Sequence, residues 1–303
     1  MRTITVTPEV LAKSVIAVPP LARDSTGRIC NQQNTRIIQH LESAGISTLL
    51  YGGNAVFYHL RPSEYAAALN VLVENTMIDT LVIPSVGPSY GMMMDQAEVL
   101  KDYPFPTVMI LPQKEIADEK GIVAGIHKFV ASFGKPIVLY LKHDRWLSPT
   151  TVQGLVRDGM VSWIKYAVVR DDPAKDEYLD EILSLIPNNI LVSGIGEQPA
   201  IIHMRDFGMS SFTSGCVCVE PKLSLEMLRS IQSGDFDKAE EIRKKFVPLE
   251  DLRNSINPIR VLHHAVSATI APTGPMQPML GELTDEEKAV VSQAAMTLKN
   301  HPS

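Results

Sequence analysis

The 303-residue sequence has few aromatic residues, few cysteines and no long apolar run. Aromatic residues make up 6% of it and methionines number 13, which predicts a core of mainly aliphatic side chains with methionine filling the gaps. Three cysteines are too few, and odd in number, for a disulfide scaffold. No apolar run approaches the roughly 20 residues that a membrane-spanning helix needs, so we expect no membrane partner.

Positive charge is also scarce. Lys and Arg together number 28 against 34 Asp and Glu, which gives a net charge of −6, and no basic run stands out. Nucleic acid is therefore not an expected partner. The first 15 residues contain an acid and lack a continuous apolar stretch, so no secretory signal is expected and the cytoplasm is the expected location. Hydrophobic residues, at 45%, predict a folded globular chain.

Short β-branched apolar runs alternate with longer amphipathic stretches over the first three quarters of the chain. The predicted strands are 14–19, 48–51, 80–84, 107–111, 136–140, 161–166, 190–193 and 210–213, and the helices that follow them are 31–44, 63–74, 92–101, 116–132, 148–157, 176–185, 199–207 and 223–232. Strands joined by helices indicate a parallel sheet, and eight strands are the number that closes a barrel. We predict an α/β fold, a (β/α)8 TIM barrel over residues 1–234.

The pattern changes after Gly234, because no strand signal remains there. Three helices are predicted, at 236–249, 258–269 and 285–298, with a Pro/Gly-rich connector before the last. Residues 235–303 are therefore predicted to form a C-terminal three-helix extension. The segment 257–269 is apolar on more than one face, which favours a homo-oligomer.

Catalytic side chains of such barrels lie at the carboxyl ends of the strands, where Tyr140 and Lys165 stand on neighbouring strands. Lys165 lies within an apolar run, so its pKa is expected to fall, and a neutral amine is what a Schiff-base nucleophile needs. A lysine whose stem packs on the barrel while its head reaches water fits about equally well. Tyr140 is either a proton shuttle or a core aromatic residue with a wetted hydroxyl.

Two glycine-rich segments follow strands. The turn Gly52-Gly53-Asn54 exposes backbone N–H groups that suit a carboxylate, although an ordinary tight turn explains it as well. The segment 87–91 spells G-x-S-x-G, the context of a serine-hydrolase nucleophile, with His263 as its one plausible late histidine. That fold has an open sheet, which eight even units do not favour. We expect Ser89 to line the pocket as a polar group instead.

Metal and cofactor motifs are weak. Cys216 and Cys218 lack a partner pair, and His263 and His264 are adjacent and point to different helix faces, so no metal site is predicted. The G-x-G at 194–196 lacks the third glycine of a dinucleotide loop. We expect no cofactor.

Taken together, these segments resemble the dihydrodipicolinate synthase / N-acetylneuraminate lyase family over nearly the whole chain. The matches are the family's Y-N-x-P at 140–143, its G-I-K at 163–165, its S-G-D/N turn at 193–196 and its N-P-I-P-x-K at 257–262. The opening strand and T-P-F-like element matches 18–21, and the later L-P-L-x-x-L stretch matches 276–280 loosely.

The resemblance implies a lyase of the class I aldolase type, 4-hydroxy-tetrahydrodipicolinate synthase-like, that forms a Schiff base with pyruvate or another 2-keto acid. Lys165 matches the Schiff-base lysine and Tyr140 the proton-relaying tyrosine. Arg145 matches an arginine that engages a second carboxylate at the pocket entrance. Gly53, Asn54, Ser89, Gly194 and Phe212 are the further substrate-binding candidates. Family members are usually dimers or tetramers, so a homodimer or homotetramer is expected.

The turn after the second strand departs from the family pattern. The family has G-T-T-G-E or G-S-T-G-E, whereas Gly52-Gly53-Asn54-Ala55-Val56 carries no hydroxyl, and Tyr90 is shifted from the position of the family's second tyrosine. Three alternatives therefore stay open: an aldolase that also uses an aldehyde, a dehydratase of a 2-keto-3-deoxy sugar acid, and a non-catalytic 2-keto-acid-binding barrel.

Overall fold

Eight parallel strands form the centre of the protein, whose computed structural model describes residues 1–301. Their order is β7-β6-β5-β4-β3-β2-β1-β8, and a parallel bridge between Ser193 and Phe212 joins β7 to β8, so the sheet closes into a barrel. The predicted TIM barrel is confirmed. The strands are β1 Ile16–Ala17, β2 Thr48–Tyr51, β3 Leu81–Val86, β4 Met109–Ile110, β5 Ile137–Leu141, β6 Val161–Tyr166, β7 Leu191–Ser193 and β8 Thr213–Ser214.

A helix follows each strand, as predicted, and one short N-terminal helix was not predicted. The helices are α1 Pro8–Ala12, α2 Asn31–Ser43, α3 Pro62–Asn75, α4 Tyr90–Leu100, α5 Glu119–Phe133, α6 Pro149–Arg157, α7 Glu177–Leu183, α8 Ala200–Arg205, α9 Pro221–Ser233, α10 Phe236–Ser255, α11 Pro258–Thr269 and α12 Asp285–Lys299. Side chains cap several of these helices. Ser148 accepts from the Thr151 N–H at the start of α6, and Asp176 accepts from the Leu179 N–H at the start of α7.

The strands are apolar on both faces because both faces are covered. All residues of β2 and β3 are buried, since one face fills the barrel and the other packs under the helical ring. The strand interiors are apolar, whereas polar side chains concentrate where the strands emerge at their carboxyl ends. The site is therefore located at that end of the barrel.

The C-terminal helices α10, α11 and α12 pack on one another and on the barrel. Gly234, with a left-handed φ of 79°, ends α9, and the boundary proposed between residues 234 and 235 lies there. The apolar faces of α11 are covered within the chain, since Val261, Leu262 and Val266 are all buried. They therefore do not supply the interface that their pattern predicted. Within residues 1–301, no helix is both long and apolar enough to cross a membrane.

Candidate active site

A cavity of about 230 Å³ opens at the carboxyl end of the barrel. Five of the predicted site residues line it: Gly53, Asn54, Tyr140, Lys165 and Gly194. They come from the ends of β2, β5, β6 and β7, which is why residues distant in sequence meet there.

Lys165 and Tyr140 are paired by the register of their strands. Tyr140 of β5 lies opposite Lys165 of β6, and both side chains face the inside of the barrel. The Lys165 Nζ lies 4.6 Å from the centre of the Tyr140 ring. Only 6% of Lys165 is exposed, so the amine has lost most of its hydration while still facing the cavity.

Burial changes the protonation of both groups. Desolvation, together with the positive charges of Lys142 and Arg253, lowers the pKa of Lys165 to about 7. A large fraction of the amine is therefore neutral near pH 7. Burial raises the pKa of Tyr140, so its phenol keeps its proton at neutral pH and is available as a donor.

The Gly53-Asn54 turn presents two free backbone donors. Within residues 1–301, neither the Gly53 N–H nor the Asn54 N–H donates to a backbone oxygen, whereas the N–H groups of Ala55 and Val56 do. The Asn54 side chain is committed elsewhere, because its Nδ2 donates to the Val18 carbonyl over 3.0 Å. The turn can therefore offer main-chain N–H groups to an anion, but not a free amide side chain.

A histidine from the C-terminal region supports this turn. His263 Nε2 lies 2.7 Å from the carbonyl oxygen of Asn54, and since a carbonyl only accepts, Nε2 carries the proton. Burial lowers the pKa of His263 to about 4, so the imidazole is neutral. His263 is therefore a positioning residue for the turn, a role that its sequence position did not predict.

Gly194 lies where a side chain has no room. A Cβ at this position would lie 2.6 Å from the Cβ of Ala167 and 2.7 Å from the carbonyl oxygen of Tyr166. The Gly194 N–H also donates to that carbonyl over 2.6 Å. The glycine thus lets the end of β7 approach β6 beside Lys165.

Three predicted site residues lie outside the cavity. Arg145 is exposed in a loop and binds Glu181 with both terminal nitrogens, at 2.9 and 2.5 Å. Phe212 is fully buried, and its neighbour Thr213 reaches the cavity instead, because side chains alternate along a strand. For these two residues the sequence match located the segment but not the direction of the side chain.

Ser89 immediately precedes α4 and lines a different, apolar cavity beside Ile116 and Trp146. His263, its partner in the hydrolase hypothesis, is bound to Asn54 instead. The structure therefore does not bring Ser89 and His263 together.

Sequence analysis did not single out Tyr58, Lys142 or Arg253 as site residues, although all three line the cavity. Lys142 has a simple signal, since it follows Tyr140 by two residues and therefore faces the same side. Tyr58 lies in a short turn of helix after β2, where burial raises its pKa to about 12. Arg253 comes from α10, and no local pattern relates it to the strand ends.

Behind the cavity lies a buried pair of carboxyl groups, Glu197 and Glu250. Glu197 accepts from the hydroxyls of Ser214 and Ser224, at 2.8 and 2.7 Å, and its N–H donates to Glu250 Oε1 over 2.9 Å. Glu250 Oε2 is buried and has no hydrogen-bond partner within residues 1–301. Desolvation raises the pKa of both groups, so the pair holds a proton that an exposed pair would release.

Comparison with known proteins gives one family. The model of the dihydrodipicolinate synthetase family matches residues 12–298. A protein of Streptomyces coelicolor named probable 5-dehydro-4-deoxyglucarate dehydratase 2 is 23% identical over 291 residues, which cover 93% of this chain and 87% of that protein.

Two solved structures illustrate the likeness of fold. Dihydrodipicolinate synthase from Bacillus clausii superposes with a TM-score of 0.84 at 23% identity, covering 96% of this chain and 100% of that one. A prophage protein of the dihydrodipicolinic acid synthase family from E. coli K12, solved in complex with pyruvate, has a TM-score of 0.81 at 17% identity and covers 94% of this chain and 98% of that one.

Proposed function

Because the chain belongs to the dihydrodipicolinate synthetase family, we propose that it is a lyase of the class I aldolase type that forms a Schiff base between Lys165 and a 2-keto acid. The observation that carries the proposal is the position of Lys165. Its amine is buried, has a pKa lowered to about 7 by burial and nearby cations, and faces an open cavity beside Tyr140. These are the conditions that make a lysine nucleophilic at neutral pH.

The free N–H groups of Gly53 and Asn54 suit the carboxylate of the keto acid. Binding it there places the neighbouring carbonyl carbon beside the amine, which lowers the entropic cost of attack. Lys165 Nζ forms a bond to that carbon, the attacking nitrogen releases a proton, the carbonyl oxygen takes it up, and a neutral carbinolamine results. Tyr140 then donates its phenolic proton to the departing hydroxyl, which leaves as water, and a protonated imine remains.

The imine withdraws electrons from the adjacent carbon, which can then lose a proton to give an enamine. An aldolase uses the enamine to attack an aldehyde, and the same step in reverse cleaves a carbon–carbon bond. A dehydratase instead expels a hydroxyl from the next carbon as water. Both reactions use the same lysine, so Lys165 alone does not choose between them.

A dehydratase acting on a 2-keto-3-deoxy sugar acid is the second candidate. One observation favours it: the relative from Streptomyces coelicolor, which matches 93% of this chain, is named as a probable dehydratase of such an acid. The turn after β2, without side-chain hydroxyls at Gly53 and Asn54, agrees with a proton relay different from that of the synthases. A non-catalytic barrel that binds keto acids is the alternative in which no turnover occurs.

Borohydride reduction in the presence of pyruvate tests the imine. We expect a mass increase on the wild-type protein that maps to Lys165 and is absent from Lys165→Ala. Lys120→Ala, which removes an exposed lysine on α5, is the matched control and is expected to keep the adduct. An unmodified wild-type protein at saturating pyruvate, or an adduct that persists in Lys165→Ala, would contradict the proposal.

A substrate panel then separates the reactions. A dehydratase converts a 2-keto-3-deoxy sugar acid into a new 2-keto acid and water, without releasing pyruvate. An aldolase consumes or releases an aldehyde in equal amount with pyruvate. A protein that traps pyruvate but turns over neither class would support the binding-barrel alternative.

Assembly and location stay proposals. We expect a homodimer or homotetramer, formed through a surface other than the buried faces of α11, and light scattering measures this directly. Location in the cytoplasm stays a prediction from the sequence.

A further inference from the structure

The cavity around Lys165 contains few groups that can take up a proton. Within residues 1–301, no aspartate, glutamate, histidine or cysteine lines it, and its titratable side chains are those of Tyr58, Tyr140, Lys142, Lys165 and Arg253. Once Lys165 has formed an imine, its nitrogen is part of the adduct and is no longer a free base. Arg253 keeps its proton in a protein. The base for the next step is therefore a phenol, Lys142 or water.

The two phenols hold their protons before the reaction begins. Burial raises the pKa of Tyr58 to about 12 and raises the pKa of Tyr140 as well. Tyr140 becomes a phenolate when it protonates the departing hydroxyl, and this phenolate is a stronger base than an amine in the same cavity. A proton therefore passes to it from an ammonium group, directly or through water. The group that supplies this proton is left as a neutral amine.

Lys142 is the ammonium group at the mouth of the cavity. It lies two positions after Tyr140, and both side chains line the cavity, as alternation along a strand requires. Its Nζ lies 5.8 Å from the centre of the Tyr58 ring. The neighbouring carboxylate of Asp144 is bound by Arg170, and within residues 1–301 no oxygen accepts a hydrogen bond from Lys142. The amine is therefore not committed to a structural bond.

Two features favour the neutral form of Lys142. Loss of part of the hydration of its amine lowers its pKa, although the residue as a whole is exposed at the mouth. Lys165 and Lys142 also repel each other when both are charged. When Lys165 is a protonated imine its charge is fixed, so the repulsion is relieved by the loss of a proton from Lys142. Exposure at the mouth lets Lys142 return protons to water.

A keto acid bound to Lys165 extends toward this amine. Leu50 and Met109 line the cavity from within their strands and are buried, so the barrel is filled below the imine. With the carboxylate on the Gly53-Asn54 turn, the remaining carbons of the ligand have room toward the mouth, where Lys142 lies. The carbon next to the imine is therefore on the side of the cavity that Lys142 can reach.

We propose that the amine of Lys142 removes the proton from the carbon next to the imine and so makes the enamine. In this step a C–H bond breaks, its electron pair forms a carbon–carbon double bond, and the π pair of the imine moves to the Lys165 nitrogen, which becomes neutral. The proton goes to Lys142, which becomes an ammonium group and later releases it to water. The inference rests on the proposed function of Lys165, and it applies to both candidate reactions because both pass through this enamine.

Hydrogen–deuterium exchange into pyruvate tests this step without a second substrate. In D2O, each formation and reversal of the enamine replaces a methyl hydrogen of pyruvate by deuterium, which NMR detects as a loss of the methyl proton signal. The rate of borohydride trapping on Lys165 measures imine formation under the same conditions, and Lys165→Ala gives the background exchange. The exchange rate is divided by the trapping rate, so that an effect on imine formation alone cancels.

Two substitutions of Lys142 separate its proton from its charge. Lys142→Met keeps the volume of the stem and removes the amine, whereas Lys142→Arg keeps a positive charge that cannot be lost. At pH 9 we expect both variants to trap pyruvate at close to the wild-type rate and to lower the exchange ratio by roughly 10²–10⁴-fold, the usual contribution of a positioned base. Lys120→Arg, exposed on α5 and away from the cavity, is the matched control and should keep the wild-type ratio.

The outcomes separate this inference from the proposed function. A wild-type exchange ratio in Lys142→Met would overturn the role of Lys142 and indicate water or the Tyr140 phenolate as the base. A loss in Lys142→Met that is absent from Lys142→Arg would overturn it too, because the charge and not the proton transfer would then matter. Wild-type protein that traps pyruvate without exchanging its methyl hydrogens would overturn the inference and leave the Schiff base intact. Wild-type protein that traps no pyruvate would contradict the proposed function itself.

Discussion

Two groups of like charges lie close together in this barrel, one on each side of the chain at Gly215 and Cys216. The cavity side gathers the cations Lys165, Lys142 and Arg253, and the enclosed side gathers the carboxyl groups of Glu197 and Glu250. Burial acts on both in the same way, because it disfavours the charged form: Lys165 tends to lose a proton and the carboxyl pair tends to keep one.

The two groups differ in access. Lys165 faces an open cavity, so its neutral amine can meet a ligand. The carboxyl pair is enclosed by Ser214, Ser224 and the backbone of Glu197, so its proton stays within a structural hydrogen-bond network. In this protein a shifted pKa therefore indicates a functional group only where a cavity reaches that group. An inference from a shifted pKa needs this geometric observation as well.

The largest effect in this comparison is expected at Tyr140, the residue proposed above as the proton donor beside Lys165. Tyr140→Phe keeps the ring beside the amine and removes the hydroxyl, so turnover should fall by roughly 10²–10⁴-fold, the usual contribution of a positioned acid. Slow imine formation with pyruvate should survive, because water can protonate the leaving hydroxyl. Single-turnover kinetics with mass detection of the adduct measures both. Tyr58→Phe, which removes the other phenol of the cavity, shows whether the effect belongs to Tyr140, and a Tyr140→Phe protein with wild-type turnover would exclude the assigned role.

The buried carboxyl pair Glu197 and Glu250 predicts that the free energy of unfolding depends on pH. A folded-state pKa raised above that of the unfolded chain means that the folded protein binds the extra proton, so this contribution is fully present below about pH 4.5 and is lost as the pH rises through the folded pKa. Glu250→Gln removes the shared titration. The free energy of unfolding of this variant relative to wild type should therefore improve as the pH rises from 5 to 8, by at most about 1.4 kcal/mol per pH unit.

Urea denaturation of both proteins at several pH values gives this difference. The buried histidines, whose lowered pKa values reduce stability below about pH 6.5, act equally in both proteins and cancel in it. Glu241→Gln, an exposed change on the same helix, should give a difference that does not vary with pH. A flat difference for Glu250→Gln would show that the pair does not retain its proton.

The smallest expected effect concerns the repulsion among the cations. Lys142→Met removes a positive charge near Lys165, which makes the ammonium form less unfavourable and raises the Lys165 pKa above about 7, by less than about one unit. Imine trapping should slow at pH 7 and approach the wild-type rate near pH 9. The pH profile of trapping with cyanoborohydride measures the shift, and Lys120→Met should leave it in place. An unchanged profile in Lys142→Met would mean that desolvation alone sets the reactivity of Lys165.

The barrel could be predicted from sequence because its strands are short apolar runs with clear ends. β2 and β6 have the predicted limits, 48–51 and 161–166, whereas β8 was predicted at 210–213 and lies at Thr213–Ser214. The segment around β8 is polar and carries little strand signal, so only the eightfold count located it. The short helix α1 has five residues and too few apolar positions for a periodic pattern.

The site could be predicted only where strand geometry decides it. Lys165 and Tyr140 end neighbouring strands, so alternation and register bring them together. Arg145 was assigned from the family resemblance and not from strand geometry; it lies in a loop with a left-handed φ of 50°, pairs with Glu181 and does not line the cavity. Arg253 depends on how α10 packs over the barrel, and no local sequence pattern carries that information.

The bond from His263 to the Asn54 carbonyl and the position of Arg253 have a consequence for how such enzymes diversify. The histidine that supports the Gly53-Asn54 turn and the arginine that lines the cavity both belong to the last fifth of the chain, whereas Lys165 belongs to the barrel. Recombination that exchanged residues 235–301 between two relatives would exchange both groups together and leave Lys165 untouched. Shortening the helical extension would therefore remove part of the cavity wall and the hydrogen bond that holds the Gly53-Asn54 turn.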